Sequence, residues 1–145
     1  MFMLQGVITE RITKKSWGEN IKEMIFDPLG MNRSNTTIAE LENSENAAIG
    51  YSEGFKKMDY YKIAAMGPAG SINSSVNEMS KWLITWINKG EYKGEKILSA
   101  NYIEEAISSQ SVITANLPNE VTPGLHLANY GYGWFLRSFN GHYRV

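Results

Sequence analysis

Apolar residues recur at spacings of three and four along the first stretch of the chain, residues 1–15, which is typical of a helix that packs on one side. They are Phe2, Met3, Leu4, Val7, Ile8 and Ile12. No capping residue precedes them, so we expect an element upstream that caps or covers this first helix.

A second helix is predicted by a capping box, in which Ser16 accepts a free backbone N–H and Glu19 reaches back to the serine. We expect its buried face to consist of Trp17, Ile21, Met24 and Ile25. Because proline cannot continue the backbone ladder, the helix should end at Asp27-Pro28.

The periodicity fades between Asn32 and Tyr61, which predicts a long irregular connection with one short helix over Ile38–Leu41. A turn-rich segment, Met66–Gly70, follows. The spacing of Ser75 and Glu78 then predicts a second capping box. The helix they open should bury Val76, Met79, Leu83, Trp86 and Ile87.

Two further signals bound the helices of the second half. Gly90 is expected to stop the preceding helix as a left-handed cap, and Ser99 to open another. The inner face of that last helix is expected to hold Ile103, Ala106 and Ile107.

Near the C-terminus the period changes to two, which is typical of a strand. Tyr130, Tyr132, Trp134 and Leu136 alternate with Gly131, Gly133, Phe135 and Arg137. Asn140-Gly141 suits a type I′ turn, so His142–Val145 should return antiparallel. The prediction is an α+β fold in a single partial domain, with a helical region over 1–110, a connection over 111–129 and a β-hairpin over 130–145.

Composition excludes several classes of function. The 145 residues carry a net charge of −1 without a basic run, which argues against nucleic acid as a partner. No apolar run approaches the roughly 18–20 residues that span a bilayer, so no membrane span is expected. Without cysteine there is no thiol nucleophile and no thiolate metal site, and His126 and His142 lack metal-ligand spacing. We therefore expect no metal and no cofactor.

One motif resembles a serine nucleophile. Gly50-Tyr51-Ser52-Glu53-Gly54 matches G-x-S-x-G, and Asp59 and then His126 or His142 follow in order. A nucleophile elbow needs a strand before the serine and a helix after it, and neither is predicted here. An irregular glycine-flanked loop is the favoured interpretation.

Other chemistry-bearing residues have ordinary interpretations. The carboxylates Glu104-Glu105 and the scattered Glu40, Glu42 and Glu45 are expected on solvated faces. The aromatic segment from Tyr130 to Phe139 could be a stacking platform for single-stranded nucleic acid, but only Arg137 supplies a basic residue within it. Packing within a sheet is therefore favoured.

Several segments together resemble the serine β-lactamase-like and penicillin-binding hydrolase family, which includes class C β-lactamases, D-alanyl-D-alanine peptidases and related esterases. They are Gly6–Thr13 with Lys15-Ser16-Trp17, then Ile25-Phe26-Asp27-Pro28-Leu29-Gly30-Met31, Gly50-Tyr51, the run from Gly67-Pro68-Ala69-Gly70-Ser71 to Leu83, and Tyr130-Gly131-Tyr132-Gly133-Trp134. These segments occur in the same order as the corresponding segments of the family, from one end of the chain to the other.

The resemblance implies acyl-enzyme chemistry by the serine of S-x-x-K, with a Y-x-N tyrosine moving protons and H-x-G or K-T-G lining the oxyanion side. None of these motifs occurs in the 145 residues. Ser71-Ile72-Asn73 and Ser75-Val76-Asn77 match the variant S-x-N, but they lie after the segment that they should precede. The family would place Y-x-N just upstream of this chain and H-x-G just downstream. We therefore expect an interior segment of a larger hydrolase with no catalytic residue of its own.

The resemblance also suggests a site and a setting. The turn that contains Gly70 and Ser71 is a candidate rim of the substrate pocket, since glycine allows close backbone approach, although a plain helix entry explains it equally well. The partner of the parent would be a small-molecule or peptide substrate, and the parent would be exported to the periplasm or the exterior. The alternative is a non-catalytic interaction module that completes its sheet with another chain or self-associates through exposed sheet edges.

Overall fold

The computed structural model describes residues 1–62, 66–114, 120–121 and 123–145; of Thr114 only the backbone is described. The chain forms two compact units, Met1–Ile84 and Thr85–Val145, which are taken in turn. Within the described residues, no helix is long and apolar enough to cross a membrane.

The first helix, α1, spans Phe2–Thr13 and ends at Lys14, which has a φ of 60°. The helix is where the sequence predicts it, but the predicted packed stripe is wrong, since Ile12 is 76% exposed and Phe2, Leu4, Val7 and Ile8 are exposed as well. The buried residue is Gly6. A Cβ there would overlap the ring of Pro68 in helix α5 (Gly67–Gly70). Because glycine has no side chain, α1 and α5 can approach this closely.

Ser16 begins a continuous helical segment made of α2 (Trp17–Ile21), a π-helical turn (Lys22–Phe26) and α3 (Asp27–Leu29). The predicted capping box is confirmed: Ser16 Oγ accepts from the Glu19 N–H, and Glu19 accepts from the Ser16 N–H at 2.7 Å. The predicted end at Asp27-Pro28 is wrong, because the segment continues to Leu29 and ends at Gly30, φ 61°.

The π turn explains the continuation. The Asp27 N–H bonds to the carbonyl of Lys22, five residues back, so the ladder is already offset by one residue where Pro28 enters without a donor. The altered register also changes the buried face. Phe26 and Leu29 are buried, whereas Met24, expected inside, is exposed.

Helix α4 spans Ile38–Glu42, where the sequence predicts a short helix, and Thr37 caps it. Before it, Asn35 and Asn73 form an antiparallel bridge, with N–H···O distances of 3.0 and 2.9 Å. This bridge joins the segment after α3 to the segment before α6.

Helix α6 spans Val76–Ile87. Ser75 Oγ accepts from the Glu78 N–H at 3.4 Å, but the second half of the predicted box is absent because the Glu78 carboxylate bonds to Arg33 and Ser34 instead. The predicted face is also wrong. Val76 is 86% exposed and Met79, Leu83 and Ile87 are exposed, while Glu78 and Thr85 are buried.

The end of α6 is formed by two left-handed residues, Lys89 (φ 54°) and Gly90 (φ 99°). The N–H of Gly90 bonds to the Thr85 carbonyl and that of Lys89 to the Trp86 carbonyl, the pattern of a Schellman motif. The left-handed position directly after the cap is therefore Lys89, one residue before the predicted Gly90. A short hairpin of β1 (Glu91–Tyr92) and β2 (Glu95–Lys96) follows.

The second unit contains α7 (Ala100–Ala106), capped by Ser99 as predicted, and a four-stranded antiparallel sheet. Its strands are β3 (Ser111–Thr114), β4 (Leu125–Tyr130), β5 (Phe135–Phe139) and β6 (His142–Arg144), paired in sequence order. Ile103, Ala106 and Leu136 are buried, and Ile107 is half-buried. Trp86 packs on Trp134 with ring centroids 4.7 Å apart.

The α+β class is confirmed, but the strand boundaries differ from those predicted. The stretch 111–129, predicted as a connection, contains β3 and most of β4, and Gly131–Trp134 is the turn between β4 and β5 rather than a strand. The turn at Asn140-Gly141 is confirmed, with φ values of 49° and 78°. It joins β5 to β6, so the return strand lies where the sequence places it.

Candidate functional site

A groove of about 930 Å³ lies within the first unit. It is bordered by α2, the segment after Asn32, α4 and α5, which contribute Trp17, Thr36, Ile38, Pro68 and Ser71 among others. The segments come from distant parts of the sequence and are held together by the contact of Gly6 with Pro68 and by the bridge between Asn35 and Asn73.

Ser71 is the candidate pocket residue that this groove includes. It is 8% exposed, and its Oγ is buried with no hydrogen-bond partner among the described residues. Its N–H closes the turn of α5 by bonding to the Gly67 carbonyl at 3.0 Å. A Cβ on Gly67 would lie 3.6 Å from Ser71 Oγ and 3.7 Å from the Trp17 ring, so these three residues meet at one wall.

Gly70, the other predicted rim residue, lies outside the groove lining. It is exposed, and no heavy atom outside its chain neighbours lies within 4 Å of the position a Cβ would take.

The carboxylates at the groove are used as structural acceptors. Glu10 accepts from the Trp17 N–H at 2.8 Å, and Glu40 accepts from the Thr37 hydroxyl at 2.7 Å. The hydrogen bonds from the Ser16 side chain and backbone lower the pKa of Glu19, because they favour the charged carboxylate. Such a carboxylate is a weak proton acceptor, which does not suit a general base.

The G-x-S-x-G motif forms a turn, as the sequence favours. The Ser52 N–H bonds to the Lys56 carbonyl at 2.9 Å, Tyr51 pairs with Lys57, and no helix begins in residues 53–62. Among the described residues, Ser52 Oγ makes only long contacts of 3.4 Å, to two backbone carbonyls. In the described part of the chain, Ser52 therefore has no hydrogen bond to the base that a serine nucleophile requires.

The two histidines are exposed and lie on different strands, His126 in β4 and His142 in β6. Over the part of the chain that the structure describes, no group of three or more His, Asp or Glu residues could hold a metal ion.

Sequence reasoning missed the role of Glu78. This residue is buried, with 6% of its surface exposed. It accepts from the Ser34 hydroxyl at 2.6 Å and from the Arg33 N–H at 2.9 Å. Lys81, one turn further along α6, donates to the Gly30 carbonyl. These bonds position the groove segment that begins at Asn32. Glu78 lies three residues after Ser75, so the sequence suggested a local capping box rather than a bond from Glu78 to a distant segment.

Fold and sequence together define the class of protein. The β-lactamase family model matches residues 1–143, and the chain belongs to this family. The family resemblance of the sequence is thereby confirmed.

Solved structures agree with this assignment. An octameric penicillin-binding protein homologue from Pyrococcus abyssi is 30% identical, with a TM-score of 0.76 over 98% of this chain and 30% of its own. A penicillin-binding protein from Bacillus halodurans is 18% identical, with a TM-score of 0.68 over 99% of this chain and 41% of its own. A β-lactamase/D-alanine carboxypeptidase from Pseudomonas syringae is 15% identical, with a TM-score of 0.66 over 93% of this chain and 33% of its own.

These last two similarities are evidence for the fold alone. The chain spans between 30% and 41% of the lengths of these three solved chains. A search of curated proteins found no match.

Proposed function

We propose that this chain is a segment of a serine acyl hydrolase and that the parent acts through an acyl-enzyme on a β-lactam, a D-alanyl peptide or an ester. The observation that carries the proposal is the match of residues 1–143 to the β-lactamase family. The Pyrococcus abyssi homologue, 30% identical over 30% of its own length, supports it further.

The segment alone is proposed to be inactive. Acyl transfer needs a nucleophile within hydrogen-bond reach of its base, together with preorganised donors for the oxyanion. The 145 residues contain no S-x-x-K, Y-x-N or H-x-G. Neither Ser52 nor Ser71 has a basic side chain among its hydrogen-bond partners in the described residues.

The test of inactivity is hydrolysis of nitrocefin and of a p-nitrophenyl ester by the purified chain. We expect no turnover above buffer. If the chain hydrolyses either compound and Ser52→Ala abolishes this activity, Ser52 is a nucleophile and the proposal of an inactive segment is overturned. The flanking coding sequence supplies the complementary test: S-x-x-K and Y-x-N are expected upstream and H-x-G downstream.

Ser71 is the proposed contribution of this segment to the pocket rim of the parent, with Gly70 allowing the backbone to turn beside it. The buried, unpartnered hydroxyl on the groove wall supports this role. In the longer polypeptide, Ser71→Ala should change KM for one of these substrates. Unchanged kinetics would assign the turn to folding alone.

A second candidate function is a non-catalytic module that completes its sheet with another chain or with a second copy. The sheet order supports it, since β6 lies at an edge of the described sheet and carries the exposed Tyr143, and the exposed Val145 follows β6. Light scattering at several protein concentrations tests this candidate. A monomeric molar mass at every concentration contradicts self-association.

A further inference from the structure

One face of the four-stranded sheet collects aromatic and basic side chains from three strands. Directly paired residues of antiparallel strands share a face, and so do alternate residues of one strand. By register, Tyr130 pairs with Phe135, Arg137 with Arg144, and Phe139 with His142. These six residues form what we call the arginine face.

The opposite face of the same strands contacts the end of α7, and it also carries two exposed residues, Leu127 and Tyr143. Ser138 pairs with Tyr143, whose hydroxyl donates to the Ile107 carbonyl at 2.6 Å, and Leu136 on that face is buried. On the arginine face Ala128, which pairs with Arg137, is buried, whereas four of the six residues named above are exposed. Phe135 is 60% exposed, and Arg137, His142 and Arg144 are exposed.

Arg137 and Arg144 are direct cross-strand neighbours. Two like charges in this arrangement repel each other and destabilise the strand pair. Arg144 also lies over the ring of Phe139, 4.5 Å from its centroid, which holds the guanidinium at the surface of the sheet. The ion pairs found in the described part of the chain, Lys15–Glu23 and Lys22–Asp27, involve neither arginine. The repulsion between them would be relieved by carboxylates from outside.

We propose that the arginine face docks an amphipathic acidic protein segment, independently of any hydrolase activity. Its apolar side packs on Phe135 and Tyr130, and its carboxylates pair with Arg137 and Arg144. A guanidinium forms paired, charge-assisted hydrogen bonds with a carboxylate. Cβ atoms of direct cross-strand neighbours lie roughly 4.5–5.5 Å apart, which suits carboxylates one helical turn apart, with Cβ atoms about 5–6 Å apart.

The charge of the whole chain favours a protein segment over nucleic acid. With a net charge of −1 the chain offers no broad positive field, and a polyanion would meet repulsion away from these two arginines. A segment with only a few carboxylates and an apolar side avoids that repulsion.

The test uses the purified 145-residue chain and a fluorescent helical peptide with leucines on one side and glutamates four residues apart beside them. The matched peptide has glutamine in place of each glutamate. By anisotropy we expect the glutamate peptide to bind about tenfold more tightly, because charge-assisted bonds are roughly twice as strong as neutral ones. Arg137→Gln and Arg144→Gln should each weaken binding by about fivefold.

Arg11→Gln, which removes an exposed arginine of α1, is the matched control and should leave the affinity unchanged. Thermal unfolding of each variant checks that it is folded. Equal binding of the two peptides, or unchanged affinity in both arginine variants, overturns the proposal. Tighter binding of oligothymidine than of the glutamate peptide assigns the face to nucleic acid. A dimer by sedimentation that Arg137→Gln dissolves assigns it to a second copy.

Discussion

The carboxylate of Glu78 accepts the backbone N–H of Arg33, with its two oxygens 2.9 and 3.2 Å from that nitrogen. The residues are 45 positions apart, so one side chain of α6 fixes the backbone just after α3. The bond is partly buried, and it gives this backbone donor a charged acceptor in place of water.

Glu78→Ala should lower the free energy of unfolding by about 2–3 kcal/mol, because it removes charge-assisted bonds and leaves a donor unpaired. Denaturant titration measures the loss. Glu53→Ala, at an exposed position in the same unit, is the control and should stay within about 0.5 kcal/mol of wild type. Equal effects of the two substitutions would contradict a special role for Glu78.

Gly6→Ala should destabilise the protein by about 1–3 kcal/mol, the usual cost of overpacking. The added methyl group would meet the ring of Pro68, so α1 and α5 would have to separate. Gly70→Ala is the matched control, since open space surrounds that position. Calorimetric melting temperatures should fall for Gly6→Ala and hold or rise slightly for Gly70→Ala; the reverse order would refute this contact.

Ser16→Ala should cost about 1 kcal/mol of stability through the lost cap. It should also raise the pKa of Glu19 toward its ordinary value, because the serine hydroxyl is the largest cause of the lowering. The Ser16 N–H still donates in the variant, so the pKa should remain somewhat below that value. Carboxyl chemical shifts of Glu19 followed against pH in wild type and variant measure the change.

The sign of the pH dependence follows from the lowered pKa. The unfolded chain binds a proton at Glu19 more readily than the folded chain does. The stabilising contribution is therefore present above the unfolded-state pKa and is lost as the pH falls through the folded value. A Ser16→Ala variant whose acid unfolding midpoint matched that of wild type would be inconsistent with this linkage.

Glu105→Gln should lower the pKa of Tyr132, which is raised by the hydrogen bond of its hydroxyl to the Glu105 carboxylate, 2.8 Å away, and by the charge of that carboxylate. Because the folded pKa is the higher one, this contribution to stability is present below the unfolded value and disappears as the pH rises through the folded value. Phenolate absorbance, read as the difference from Tyr132→Phe in each background, isolates the titration. No change on substitution of Glu105 would show that another group causes the shift.

Helix starts were predictable because their signals are local. Ser16 and Ser99 each cap a helix within three residues of themselves, and Asn140-Gly141 closes its turn without outside help. The burial of helix faces was less predictable. Val76 and Met24 fit an apolar stripe, yet both are exposed, since burial depends on which other segment lies opposite.

In the candidate site, too, local features were predictable from the sequence and contacts between distant segments were not. The turn that contains Ser71 was recognisable from its glycines and proline. Trp17 and Thr36 were not, because the groove joins them to Ser71 through contacts between distant segments. The predicted strand placed Tyr130 and Phe135 on opposite faces, and only the pairing of β4 with β5 shows that they share a face across a hairpin.

The sequential order of the sheet bears on how the second unit folds. Every strand pairs with its neighbour in the chain, so the sheet can grow by one hairpin at a time at a low entropic cost of loop closure. The hairpin of β5 and β6 closes over two residues and should form first, within microseconds. Pulse-labelled hydrogen exchange should find its amides protected before those of β3, because ten residues separate β3 from β4 and this is the longest loop between strands of the sheet.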